Sequence, residues 1–409
     1  MQRVIPLLLT LFALYACTVP HKPEVEKPIP AAEGVEQPAT TPIGGETPVP
    51  QVPGEAPTVT LPSEIIPAPP VLPTETPFPH IALLLPLHSA IFGPSADAVQ
   101  QGFMAAINPK RLILPVRVYS DFDENNSVVA VYRQAIANGA RAVVGPLTRN
   151  GVSALAAWQD IPVPTLALNI VEGQFAPQLY FFGMAVETEA RQVAQLAKQQ
   201  GLHQAIIITT HTQLSQRLQS AFEEEWANQD KGILREIEYN DDPTVFADIA
   251  NIADTMVFLA TGAEKARLIR PYLPNKLPIY ATSQIFVGND NTLTNYDLNG
   301  IHFVDMPWLL QPDHPAVMIY PRANPPLSAD RERLYALGID SFRLIQLMLA
   351  GKINSALPLD GVSGQIQLNG HNFQHMGIQA VIAQGHAQLG DAPAAPTSQM
   401  FPDQTINTP

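Results

Sequence analysis

Ile81-Ala82-Leu83-Leu84-Leu85 is a run of five apolar residues with no polar alternation. A strand with one wet face alternates polar and apolar side chains, whereas a strand covered on both faces does not. The run therefore reads as a central strand of a parallel sheet with helices on both sides. Outward from it the pattern repeats. A helix starts at Gly93-Pro94-Ser95 and carries Ala98, Gly102, Phe103 and Ala106. Val116-Arg117-Val118-Tyr119 is a second strand, followed by a helix over 128–138. Strands at Ala142-Val143-Val144, Pro164 to Leu168 and Tyr180-Phe181-Phe182 complete a first block, with a helix over 152–158 between them.

A second block has the same rhythm. Helices are expected over 187–200, 214–229, 245–252 and 264–273. Strands are expected over 205–209, 233–239, 256–259 and 277–281. Two successive blocks of strand and helix imply an α/β protein of two Rossmann-like lobes, each with a parallel central sheet. The last third supplies a strand over 300–304, a helix over 335–350 and a hairpin over 364–383, pieces that should complete the two lobes. The expected lobes are about 80–183 with 305–355, and about 184–304 with 356–391.

The chain has 409 residues, 46% of them apolar and only 15% charged, with a formal net charge of -14. An acidic chain without a basic stripe argues against nucleic acid as a partner, because phosphate binding needs clustered Lys and Arg. Enzyme motifs are absent. Gly361-Val362-Ser363-Gly364 is not a nucleophile elbow, and no glycine-rich loop ends in Gly-Lys followed by Ser or Thr. His371 and His375 lie in a turn-like, Gly-rich context with no third ligand nearby, so no metal and no cofactor are expected. Glu223-Glu224-Glu225 reads as a solvated helix face.

The N-terminus reads as a signal peptide over 1–16. Arg3 gives the positive end, and Val4 to Leu14 form an apolar core too short to span a bilayer. Leu14-Tyr15-Ala16-Cys17 resembles a lipobox, in which the cysteine is acylated and becomes the first mature residue. Cys17 is the only cysteine, and burial at ~0.8 kcal/mol per CH₂ would make a triacyl anchor effectively permanent. Thr18 stands where Asp commonly marks inner-membrane retention, which points to the outer membrane of a Gram-negative bacterium. Residues 17–79 form a tether. Positions 18–79 hold 17 of the 41 prolines and eight Glu against two Lys. Such a composition cannot bury enough surface to offset its ordering entropy, and proline favours an extended, semi-rigid spacer. At ~3.1 Å per residue it can reach roughly 190 Å. Residues 392–409 read as a disordered tail.

Several motifs, in order over residues 80 to about 390, resemble the penicillin-binding protein activator (LppC/LpoA) lipoprotein family. They are 81–87, Val143-Val144-Gly145-Pro146-Leu147, 164–169, Glu189-Ala190-Arg191-Gln192, 278–283, Asp305-Met306-Pro307-Trp308-Leu309-Leu310 and 334–343. The resemblance implies a type I periplasmic-binding-protein fold with lobes joined by a multi-strand hinge. It implies an outer-membrane, periplasm-facing lipoprotein that binds and activates a class A penicillin-binding protein, a peptidoglycan synthase. It implies no enzyme activity. The long form of the family carries a helical, TPR-like domain before the binding-protein-like domain; here the Pro-rich tether stands in that place, as in a short form.

In such a fold a ligand sits between the lobes, at the C-terminal ends of parallel strands. The strand ends offer Ser89, Thr148, Asn169, Thr209 and Ser283. Ser89 and Thr148 precede helix starts, where free N–H groups can hold a carboxylate, and the same residues can equally be simple caps. Asp121 and Asp305 are the acids available for a ligand amine. An amino acid, amide or muropeptide is the ligand class that such a cleft would take. Leu87 and Leu147 sit where a polar pocket needs donors, which favours a sealed cleft. Trp308, with Asp305 close by in the same segment, is either an exposed partner anchor or hinge packing. Asp340 and Arg343, at i and i+3, read as a helix-surface pair.

Overall fold

The computed structural model describes residues 77–107, 113–120, 127–228, 232–250 and 252–390. The signal segment, Cys17, the tether up to residue 76, Asp121 and the tail lie outside the described residues.

The opening run forms β1 (His80–Leu84), and the first block adds β2 (Val116–Tyr119), β3 (Ala140–Val144), β4 (Thr165–Ala167) and β5 (Leu179–Phe182). Helices α1 (Gly93–Ala105), α2 (Val128–Ala137) and α3 (Arg149–Trp158) lie between them. The reason for the unbroken apolar run is visible in the core. Ile81, Leu83 and Leu85 join one hydrophobic cluster with Val99 and Phe103 of α1. Ala82 and Leu84 join another with Tyr132 and Leu155, on α2 and α3.

The second block has the same plan. Its strands are β6 (Gln204–Thr209), β7 (Ile233–Glu238), β8 (Thr255–Leu259), β9 (Ile279–Ala281) and β10 (Ile301–Asp305). Its helices are α4 (Val186–Gln199), α5 (Gln213–Asn228), α6 (Ala263–Ile269) and α7 (Thr292–Tyr296). Ile206 and Ile208 face one core and Ala205 and Ile207 the other. The helix expected over 245–252 is one 3₁₀ turn, Pro243–Phe246, started by Asp242, whose carboxylate accepts the Thr244 N–H. The helix expected over 264–273 is α6 followed by a 3₁₀ turn, Arg270–Tyr272.

After β10 the chain forms two short helices, α8 (Pro307–Leu310) and α9 (Pro315–Met318), then the long α10 (Ala329–Leu349). It ends in β11 (Leu359–Asp360), β12 (Gln365–Asn369), β13 (Asn372–Met376), β14 (Ile378–Ala383) and β15 (His386–Leu389). The first sheet runs β11-β12-β13-β5-β4-β3-β1-β2 and the second β15-β14-β10-β9-β8-β6-β7. Both are parallel in the middle. The antiparallel pairs are β11–β12, β12–β13, β10–β14 and β14–β15, at one end of each sheet.

The expected lobe boundaries need one correction. Residues 359–376 belong to the first sheet, not the second, because β13 pairs in parallel with β5 and Phe373 enters the first lobe's core. Only β14 and β15 join the second lobe. The single hairpin expected over 364–383 is therefore two hairpins, split at Gly377, where the chain crosses between lobes.

α10 packs along α1 with backbone against backbone. A Cβ on Gly102 would meet the Tyr335 carbonyl oxygen at 1.9 Å, and a Cβ on Gly338 would meet that of Val99 at 2.1 Å. Main chain cannot yield as a side-chain tip does, so Gly338→Ala should force the helices apart. A loss of about 2–3 kcal/mol is expected in urea unfolding, and a loss below half a kcal/mol would contradict the close contact.

Candidate functional site

Three crossovers join the lobes: after β5, after β10 and at Gly377. They lie side by side, since Asp305 at the end of β10 pairs with Ile378 at the start of β14. A Cβ at Gly377 would sit 2.9 Å from the Asp305 carbonyl oxygen. The Gln192 carboxamide of α4 holds the same glycine by both backbone groups, donating to its carbonyl at 2.7 Å and accepting from its N–H at 3.1 Å.

One turn earlier on α4, Glu189 begins a buried polar network. Its carboxylate accepts the Ser283 N–H at 2.8 Å and the Ser283 hydroxyl at 3.0 Å. Arg333, from the N-terminal part of α10, grips Asp305 with Nη2 at 2.6 Å and Nε at 3.1 Å. The same Nη2 donates to the carbonyls of Ser283 and Phe286 at 3.0 and 2.9 Å. Asp305 also accepts the Met306 N–H at 2.8 Å. Glu189, Ser283, Asp305 and Arg333 are all buried. Arg333 comes from the helix that packs on lobe 1, and its partners lie at the C-terminal ends of β9 and β10 in lobe 2. The network thus ties the lobes together and fills the cleft over those strand ends with the chain's own guanidinium.

Burial raises the Glu189 carboxyl to about 7, with the Asp305 charge adding to the rise and the Ser283 hydrogen bonds opposing it. A carboxyl raised in the folded state binds more protons than in the unfolded chain. Stability is then retained below the ordinary carboxyl range and falls as pH rises toward 7, by up to about 1.4 kcal/mol for each pH unit. Urea unfolding of the wild type and Glu189→Gln at pH 5 and pH 8 checks this. The wild type should lose more stability between the two than the variant, and parallel profiles would contradict it.

The remaining expected site residues are distributed as follows. The Ser89 hydroxyl accepts the Phe92 N–H at 3.1 Å, a turn bond before α1. Thr148 is the N-cap of α3 and accepts the Gly151 N–H at 3.2 Å. Asn169 donates to the Leu147 carbonyl and accepts the Ile170 N–H. Thr209 is buried at the end of β6, and its carbonyl accepts the Tyr239 N–H. Of the five cleft candidates only Ser283 enters the network. Asn169 instead lines an open hollow between the lobes.

Trp308 is fully buried. Its indole N–H donates to Glu332 at 2.5 Å, its ring stacks on Tyr335 at 5.3 Å, and the Arg322 guanidinium lies 3.8 Å over its face. The exposed-anchor reading is therefore corrected, because the segment between β10 and α10 folds over the ring. Asp340 is likewise not a surface residue. It is completely buried and accepts from the Ser363 N–H and hydroxyl, the Val362 N–H and Arg343.

Sequence reasoning gave no role to Glu189, Gln192 or Arg333. The available signal was Glu189 and Gln192 at i and i+3, on the helix stripe shared with Ala190 and Val193 that α4 buries. Among the described residues, no helix is long and apolar enough to cross a membrane, and no three potential metal ligands cluster.

The family model described as "LppC putative lipoprotein" matches residues 61–255 and 247–375. The chain belongs to the LppC family. Among its relatives is the Penicillin-binding protein activator LpoA of Haemophilus influenzae, 29% identical over 281 residues, with 65% of this chain and 47% of the relative covered. Another, from Photobacterium profundum, is 26% identical, covering 71% of this chain and 53% of the relative. The chain spans about half the length of the curated relatives it matches. The fold aligns with the LpoA C-domain from Haemophilus influenzae, called a regulator of PBP1A, at TM-score 0.66 and 25% identity. That alignment covers 76% of this chain and 99% of the other. A structure from Chromobacterium violaceum, described as a candidate branched-chain amino acid ABC transporter, aligns at TM-score 0.65 and 36% identity, covering 74% and 99%. The two sheets of mostly parallel strands are the arrangement expected of a periplasmic-binding-protein-like fold.

Proposed function

We propose that this LppC-family chain is a non-enzymatic regulator that binds and activates a class A penicillin-binding protein. The observation that carries the reading is the buried Arg333–Asp305 pair across the lobes. A solute receptor needs room and unspent polar groups over its strand ends. At the lobe 2 strand ends Ser283 and Asp305 spend theirs on Glu189 and Arg333, which supports a domain that holds one shape for a partner. Relatives named as penicillin-binding protein activators supply the partner class.

In this reading the signal over 1–16 is removed, and acylated Cys17 anchors the protein to the periplasmic face of the outer membrane. The Pro-rich tether then carries the two-lobed domain toward a synthase in the inner membrane. Capture with the native lipoprotein, using class A synthases purified from the same organism, tests the proposal. A specific, saturable complex with at least one synthase is expected, and no complex with any of them would refute it. The likeness to the Chromobacterium violaceum protein keeps a lipid-anchored solute receptor as the alternative, and a thermal-shift screen of amino acids and amides distinguishes it.

A further inference from the structure

Away from the lobe junction, the end of α1, the second half of α10 and the residues just after α9 enclose a groove of about 850 Å³. Leu347 in its wall follows Arg333 on α10 by 14 residues. That is about 21 Å along the helix at ~1.5 Å per residue, so the groove is separate from the cleft. Phe342, Leu347 and Leu359 line it, together with Ile113 and Ile319. Ile113 is 50% exposed and Ile319 67%, so both stand at the rim. A single exposed apolar residue is ordinary, but exposed apolar residues flanking an apolar groove mark a surface that a partner covers. Small-ligand sites bury roughly 70–90% of their ligand; a groove with rims this exposed suits the ridge of a second protein, which covers the rims as well.

The charges narrow the partner. Arg343 and Lys352 are the charged residues that line the groove, and no acid is among its lining residues. Arg343 is held in place by the Asp340 carboxylate at 3.0 Å and the Asp360 carbonyl at 2.8 Å. Lys352 is exposed and has no ion pair among the described residues. The hollows at the lobe junction, by contrast, include Glu172, Glu187 and Glu224, and the one beside α9 includes Asp313. In a chain of formal net charge -14, an acidic partner segment is repelled by much of the surface and attracted here. Such contrast sets register and excludes wrong contacts more than it adds affinity.

We propose that this lobe 1 groove is where the synthase docks, through an apolar segment flanked by at least one carboxylate that meets Lys352. The inference rests on the regulator reading and names its contact surface. The partner's apolar side chains lie against Phe342, Leu347 and Leu359, and Ile113 and Ile319 close over them from the two rims. Lys352 and the fixed Arg343 guanidinium set the polarity of the bound segment.

Binding of the full-length chain to purified class A synthases from the same organism tests it, by surface plasmon resonance, with three variants. Ile319→Asp and Lys352→Glu change the groove. Leu293→Asp makes the same kind of change on α7 of lobe 2, where Leu293 is 90% exposed. All three side chains are exposed, so the variants should fold normally, which circular dichroism and the unfolding midpoint verify. Ile319→Asp should weaken binding at least about tenfold. Lys352→Glu should weaken it about threefold or more at low salt, and by less at about 0.5 M salt. Leu293→Asp should bind like the wild type. A wild type that binds while Ile319→Asp is unaffected, or Leu293→Asp weakening binding as much as Ile319→Asp, would overturn the docking surface and leave the regulator reading standing. No binding of the wild type to any of the synthases would overturn both. Sedimentation of the full-length chain alone should show a monomer; a dimer that Ile319→Asp dissociates would give the groove to a second copy and overturn the proposal.

Discussion

Replacing Arg333 by methionine is expected to lower the unfolding free energy by about 3–5 kcal/mol. The guanidinium makes two bonds to Asp305 and two to the carbonyls of Ser283 and Phe286. Methionine fills similar space but donates nothing. Asp305 would keep only the Met306 N–H, in a site that is 2% exposed, and its charge would be left without a partner. The raised Glu189 carboxyl would lose its nearest compensating cation and be driven further toward the neutral acid. A second variant separates the pair from the packing. Arg333→Met combined with Asp305→Leu removes both charges and should recover much of the loss, since a buried pair replaced by apolar groups is often close to neutral. Urea unfolding of the wild type, the single and the double variant is the measurement. A single variant within about 1 kcal/mol of the wild type would mean that the network does not hold the lobes together.

Asp340→Ala should cost about 3 kcal/mol, by loss of bonds to a buried charged acceptor. Its carboxylate anchors the 361–364 loop to α10, and alanine would strand the Val362 and Ser363 N–H groups in a dry site. That loop lies where the Trp308 backbone N–H donates to the Val362 carbonyl at 2.9 Å, so the damage should extend to the Trp308 packing. A drop in unfolding midpoint together with a shift in Trp308 emission is expected. Because Trp158 and Trp226 also emit, Trp308→Phe serves as the background control. Asp340→Asn keeps one acceptor oxygen and should fall between wild type and Asp340→Ala. If alanine and asparagine behave like the wild type, the loop is not held by this carboxylate.

These residues mark where sequence reading succeeds and where it stops. The runs at 81–85, 205–209 and 256–259 were legible because burial on both faces removes alternation, which leaves a local signature. Which sheet a late strand joins leaves none. The alternating stretch around Ile366 and Phe373 suits any sheet edge, and only its pairing with β5 assigns it to lobe 1. The short 3₁₀ turn at 243–246 was also hidden, because the apolar spacing over 245–252 mimics a helix, while Phe246 packs into the core from the end of that turn and Ile249 from the loop after it. For the site, residue type identified Ser283 and Asp305 as polar groups at strand ends. It could not reveal that Glu189 and Arg333, 94 and 28 residues away respectively, would already occupy them. The same limit applies to Asp340. Spacing of i and i+3 fits an exposed ion pair, and burial by a loop more than twenty residues later is a property of the fold alone.

Activation of a peptidoglycan synthase is the proposed role. The most direct measurement is the cross-linking and glycan polymerisation rate of a class A synthase from the same organism, in detergent, with and without the full-length lipoprotein. A saturable increase in cross-linked product that requires both proteins is expected, with a reduced increase for the Arg333→Met variant at equal concentration. Unchanged rates with every class A synthase of that organism, at concentrations where the lipoprotein is folded, would contradict it.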